Sequence, residues 1–179
     1  MVVACTDQAH LHLQKQFAEH TAGRHYLALV LGVPDLTAGC IRSALGRDPK
    51  DRFRFCSVES GGKAAVTHWK LEERLVARRK GKQDTHWVSA IRCRLETGRT
   101  HQVRVHLLEQ NLPILGDPLY RSRTQPPEWL HAMLTDIDHQ LLHARRLELE
   151  HPVSGERMVF EVPPPPDFQG LIDTLRSRY

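Results

Sequence analysis

Apolar positions fall in two rhythms along this chain. In residues 7–20 they recur as Ala9, Leu13 and Phe17, with Leu11 nearby. That is the spacing of one helix face, and Asp7 is placed to cap its start. Gly23 breaks the pattern. Residues 26–31 are a short apolar run closed by Gly32 and Pro34, which predicts a buried strand. Residues 39–45 predict a second strand, 46–52 form a charged loop around Pro49, and 53–58 predict a third strand before a Gly61-Gly62 turn. From 64 to 75 the chain alternates. Ala64, Val66, His68 and Lys70 face one way, and Ala65, Thr67, Trp69 and Leu71 the other. The basic tract 78–82 predicts a hairpin tip. Residues 87–95 return as a strand with Trp87, Ser89, Ile91, Cys93 and Leu95 on one face.

Thr97-Gly98 stops that strand, and the rhythm changes. Val103 and Leu107 stand at i and i+4, which predicts a helix over 100–110 with Thr100 as its cap. Residues 141–149 and 157–162 predict a hairpin around Pro152-Val153-Ser154-Gly155. The prolines of 163–166 make a stiff connector to a last helix over 167–178. There is no internal repeat and no evident linker. Strands outnumber helices, so the expected class is α+β, a largely antiparallel mixed sheet flanked by helices, with residues 1–179 forming a single domain.

Composition narrows the classes. Of the 179 residues, 40% are hydrophobic and 26% charged, the balance of a globular domain. No apolar run approaches the ~18 residues of a membrane span, and the N-terminus has no basic n-region with a long apolar stretch. The expectation is a cytoplasmic protein with no membrane partner. The four cysteines form no CxxC pair, and His101/His106 and His20/His25 are each five apart, which suits neither a helix face nor a strand face. No metal site is expected. GxGxxG, P-loop and GxSxG motifs are all absent. The net charge of +4 is compatible with a polyanion. Arg42, Arg47, Lys50, Arg52 and Arg54 form one basic group, and Arg74, Arg78, Arg79, Lys80 and Lys82 another. By charge alone these are equally two solvated loops.

The densest chemistry lies in 96–106, which carries two arginines, two histidines and a glutamine with no acid after Glu96. On a helix, His101 and Arg104 share a face at i and i+3, while Val103 and Leu107 hold the other side in the core. Arg99 precedes them in a turn that Gly98 makes possible. A fixed guanidinium beside a cleft suits phosphate or carboxylate. By spacing alone, Arg104 paired to a core carboxylate is the competing expectation.

Arg99-Thr100-His101-Gln102-Val103-Arg104-Val105-His106 resembles the active-site motif of RluA-type pseudouridine synthases, which isomerise uridine in RNA. Further segments resemble that family in the same order. They are Arg24-His25-Tyr26-Leu27-Ala28, Gly46-Arg47-Asp48-Pro49-Lys50-Asp51-Arg52, Gly62-Lys63-Ala64-Ala65-Val66-Thr67, and Leu142-His143-Ala144-Arg145-Arg146-Leu147 with His151-Pro152. The resemblance spans residues 1–166 and implies the synthase catalytic-domain fold, with no separate RNA-binding domain. It implies an RNA partner, ribosomal or transfer, and no metal, organic cofactor or small-molecule cofactor. By the same resemblance Tyr26 contacts the target base and Arg104 pairs with the catalytic aspartate. Arg24, Arg47, Arg52, Arg99 and His101 lie in segments expected to meet RNA. Asp117, between Gly116 and Pro118, is expected to cap a turn.

One departure matters. The family's aspartate sits in a His-Arg-Leu-Asp-x-x-Thr-Ser-Gly segment, and Val2-Val3-Ala4-Cys5-Thr6-Asp7 resembles the family's next stretch of chain, a short apolar strand running into Ala-x-Thr-Asp. This sequence contains no His-Arg-Leu-Asp segment. The expectation is a synthase domain lacking its first segment and inactive as it stands, or else a non-catalytic RNA-binding remnant. Arg104 would then face a vacated acid pocket, and Arg104→Leu would be neutral or stabilising.

Overall fold

The structure is a computed structural model that describes residues 2–76, 87–121 and 126–177. Helix α1 (Asp7–Ala18) leads into strands β1 (Gly23–Leu31), β2 (Ala38–Arg47), β3 (Phe55–Ser57), β4 (Lys63–Val76) and β5 (Trp87–Leu95). Helices α2 (Gln102–Glu109) and α3 (Glu128–Met133) come next, then β6 (Leu142–Glu150), β7 (Arg157–Glu161) and α4 (Pro166–Arg176). The seven strands form one sheet in the order β3-β2-β4-β5-β1-β6-β7. Every pairing between these strands is antiparallel, so the α+β class with a largely antiparallel sheet holds. No helix among the described residues is long and apolar enough to cross a membrane.

The alternation in β4 holds. Ala65, Thr67 and Trp69 are buried and Ala64 and Lys70 exposed. Residues paired across the ladder share a face, so Ile41, Ala65, Thr67, Trp69, Ile91, Cys93, Tyr26 and Ala28 look to one side, the front. A bulge between Leu71 and Glu73 then reverses the facing of β4. It turns Leu75 to the back, beside Val88, Leu29 and Leu27, where α4 lays down Phe168, Leu171, Ile172 and Leu175. This half of the sheet is therefore buried on both faces. On the front, α2 supplies Val103 and Leu107 to the same core.

Several boundaries move for local reasons. Thr6, not Asp7, caps α1: its hydroxyl accepts the Ala9 N–H at 3.2 Å. The third strand shrinks to three residues because Asp51 takes the N–H groups of Phe53, through its carboxylate, and of Arg54, through its carbonyl. Thr100 does not cap α2. That position belongs to His101, at φ 57°, with no side-chain cap. The short helix α3 escaped the sequence pattern, although Pro127 followed by Glu128 is a start signal. The basic tract 78–82 lies outside the described residues.

If the bulge places Leu75 in the core under α4, Leu75→Ala should destabilise by roughly 2–5 kcal/mol. A denaturation midpoint equal to wild type would contradict that placement.

Candidate active site

The site grows from the turn after β5. Thr97, buried, accepts the Val66 N–H at 2.8 Å and donates to Gln102 Oε1 at 2.8 Å. The same Gln102 oxygen accepts the Arg99 N–H at 3.0 Å. Gln102 Nε2 donates to the Val66 carbonyl at 3.0 Å and to Thr67 Oγ1 at 2.9 Å. A side chain only 2% exposed thus meets its full hydrogen-bonding capacity, and it ties α2 to β4 and to the turn at once. The Thr67 hydroxyl also hydrogen-bonds His106 Nδ1 at 2.8 Å, and His106 Nε2 hydrogen-bonds Ser43 Oγ at 3.0 Å. Burial pushes the imidazole pKa below the ordinary 6.5 and so favours the neutral ring, against a smaller upward pull from Glu109.

Gly98 leaves room for the Arg24 guanidinium, whose end lies where a Cβ would stand. Arg24 Nη2 donates to the Glu96 carbonyl at 3.0 Å, and its guanidinium lies over the Phe17 ring at 5.7 Å. Burial lowers its pKa; nearby Tyr26 raises it and Arg99 lowers it. Arg24 is therefore a half-buried strut as well as a cation. Arg99 donates from Nε to the Ala64 carbonyl at 2.9 Å. Tyr26 is half-buried and opens with Arg24 into a groove of about 690 Å³, walled by Leu13 and Phe17 of α1 and by Ala144 and Phe160. That volume falls within the usual range of ligand clefts.

Arg104 does not face a vacated pocket. Its Nε and Nη2 make a bidentate pair with Asp117 at 2.8 and 2.6 Å. The Asp117 side chain is fully buried, and Oδ1 also accepts the N–H groups of Leu119 and Tyr120 at 2.9 Å each. It caps the turn, as its neighbours implied, and it is also the partner that the sequence left unassigned. Burial pushes this carboxyl up, but the Arg104 hydrogen bond and the two N–H donors outweigh it and hold it below its usual range. Gly116, at φ +72°, places Asp117 there; a Cβ would strike the His139 carbonyl. Tyr120, missed in the sequence, is the hub. Its ring carries Arg104 at 4.7 Å and Arg54 at 5.1 Å, and His101 meets it edge-on. Its hydroxyl lies 3.0 Å from His101 Nδ1 and accepts the Phe55 N–H at 2.8 Å. Burial first, then Arg104, lowers the His101 pKa.

The sequence-predicted residues thus fall into two groups on the front face. Tyr26 and Arg24 line the groove, with Arg99 close enough to Arg24 to lower its pKa. Arg104 and His101 gather on Tyr120. Arg47 and Arg52 join the second group only through the loop: Arg47 Nη1 donates to the Arg52 carbonyl at 2.8 Å, Arg47 covers Phe55, and Phe55 is tied to Tyr120. No hydrogen bond or ring contact among the described residues joins Tyr26 directly to Arg104. The described residues also hold no cluster of three or more potential metal ligands.

Comparison with known proteins bears on this geometry. The sequence profile described as RNA pseudouridylate synthase matches residues 1–109. A protein of Xanthomonas campestris named ribosomal large subunit pseudouridine synthase D is 41% identical over 181 residues, covering 99% of this chain and 51% of its own length. One of the same name from Neisseria meningitidis is 42% identical over 178 residues, covering 98% and 45%. The chain therefore spans about half the length of the curated relatives it matches. Two solved human structures share the fold. RNA pseudouridylate synthase domain containing 4 has a TM-score of 0.75 at 21% identity, covering 98% of this chain and 70% of its own. Domain containing 1 has 0.69 at 24%, covering 98% and 74%.

The pair Arg104–Asp117 reverses the expectation for Arg104→Leu. Removing one partner of a buried pair should cost about 3–5 kcal/mol, whereas Arg104→Met with Asp117→Leu should cost less than either single change. Equilibrium denaturation of the three variants checks this. A second outcome concerns pH. His106 binds its proton less readily folded than unfolded, so the unfolded state takes up more protons below pH ~6.5 and stability falls as pH drops through that range. The thermal midpoint should decline from pH 7.5 toward 5, and His106→Gln should flatten the decline. A wild-type profile without slope over that window would contradict the neutral, buried imidazole.

Proposed function

The chain belongs to the RNA pseudouridylate synthase family, and from that premise we propose that it holds a uridine of structured RNA for isomerisation to pseudouridine, as an RluA-type synthase. The observation that carries the proposal is the half-buried Tyr26 in an apolar-walled groove that Arg24 also lines, with Arg99 near Arg24 on the turn that Gln102 locks. A base taken from its stack loses a few kcal/mol of stacking and pairing. An aromatic face returns roughly 1–3 kcal/mol, and arginines beside it meet the flanking phosphates. Arg104 uses two of its five N–H donors on Asp117, and the other three remain for a carboxylate or the nucleotide. The names of the curated relatives favour large-subunit ribosomal RNA over transfer RNA as the substrate. The protein would work in the cytoplasm, where that RNA is found.

Isomerisation itself is assigned to a carboxylate in a His-Arg-Leu-Asp segment, which this sequence does not contain. The nearby aspartates are otherwise engaged. Asp117 is held by Arg104, and Asp48 and Asp51 accept backbone N–H groups in the basic loop. The 179 residues alone should therefore bind RNA without forming product.

Large-subunit ribosomal RNA and transfer RNA should be incubated with the chain alone, and with the chain joined to a segment carrying the family's His-Arg-Leu-Asp motif. Pseudouridine is then read by carbodiimide-dependent reverse-transcription stops. Product is expected on ribosomal RNA from the joined form only, and Tyr26→Ala should weaken RNA binding about 5- to 150-fold. Product from the 179 residues alone would overturn the assignment of the carboxylate. RNA binding without product in either form would leave a non-catalytic RNA binder. No RNA binding at all would overturn the function.

A further inference from the structure

The back of the sheet is covered unevenly. Leu27, Leu29, Leu75, Val88 and Ala90 lie in the core under α4. Where β2, β4 and β5 run on past that helix, their back face is bare. The ladder places Cys40, His68, Arg94 and His25 in one row, and Lys70 beside Arg92 in the next, with Arg42 two residues along β2 from Cys40. Arg42, Lys70, Arg92 and Arg94 are exposed. Ala38, Cys40 and Ala64, all exposed, are small, so the long cations stand clear beside them.

Cations outnumber acids on this floor. Arg92 pairs with Glu72 at 3.4 Å, and Glu96 bonds His68 and lies near enough to Arg42 and Arg94 for both to pull its pKa down. Arg42, Lys70 and Arg94 make no close ion pair among the described residues. Here three unpaired cations sit on three adjacent strands, within a width of about 10 Å at the usual strand spacing. A nucleic-acid duplex presents a charge every ~1.7 Å along its axis, so several phosphates fit that width. Arg42 also shares strand β2 with Arg47, which by alternation faces the other side of the sheet.

We propose that this back face, through Arg42, Lys70 and Arg94, is a second RNA contact that grips the phosphate backbone of a helical segment away from the target uridine. It rests on the RNA-binding function proposed above and adds a surface that the site does not use. Contacts of this kind carry no sequence information; they set orientation and steepen the salt dependence.

The test is anisotropy titration of a stem-loop RNA across about 50–200 mM salt. The wild-type chain is compared with the triple variant Arg42→Gln, Lys70→Gln, Arg94→Gln, and thermal melts confirm that both fold. The slope of log affinity against log salt should fall by about 2–3 in the triple variant, because each lost phosphate contact removes close to one unit. Bound RNA should also slow alkylation of Cys40, the exposed thiol on this floor. An unchanged slope and an unprotected Cys40, with Tyr26→Ala still weakening binding, would overturn the second contact and leave the site intact. Wild type that binds no stem-loop even at the lowest salt would overturn both.

Discussion

One buried side chain holds the front of this molecule together. Gln102 sits at the start of α2 with every donor and acceptor occupied, and its partners belong to two separate pieces of chain: the Thr97–Arg99 turn, and β4 through the Val66 carbonyl and the Thr67 hydroxyl. A buried amide with partners is worth little net, but one that loses them carries a full desolvation cost. The geometry is therefore close to all-or-none. It fixes where Arg99 leaves the turn and where α2 begins, immediately after His101, which sits at a positive φ with no side-chain cap. From Thr67 the network continues through His106 to Ser43 on β2, so the helix is pinned to two neighbouring strands.

A second fixed point stands beside it. Tyr120 gathers two guanidinium groups, an imidazole and the Phe55 backbone around one phenol, while Asp117 neutralises Arg104 from below. Cations brought close together repel unless an acid, a π face or a polyanion stands among them. Here the acid and the π face are both supplied from the segment 116–120. The basic loop between β2 and β3 is thereby tethered to α2 through side chains rather than through the sheet ladder.

The sheet carries these groups because its two faces are treated differently along its length. The bulge at Leu71/Glu73 changes which side of β4 is apolar, and α4 closes the back only where Leu75 and its neighbours need cover. The rest of the back face is free to carry charge. The same seven strands thus provide a doubly buried core, a polar front with a groove, and an open basic floor.

Most elements were legible in the sequence, because period-two and period-3.6 patterns are local and burial follows them directly. β4, β5 and the β6–β7 hairpin were all readable, as was the burial of Val103 and Leu107 on α2. The chemistry-bearing segment 96–106 could also be read, since its residue types and order were themselves the signal. The partners of its charges could not be read. Asp117 is thirteen residues from Arg104, and nothing in its neighbourhood beyond a turn signal says that it reaches back. The role of Tyr120 depends on Phe55 and Arg54, more than sixty residues earlier in the chain. By itself, then, the sequence determined most of the stretches that form strands and helices and where the densest cluster of charged and polar side chains lies. Only the tertiary structure decided which charge neutralises which and which half of the sheet's back lies bare, because pairing and exposure depend on distances between segments that no local pattern encodes.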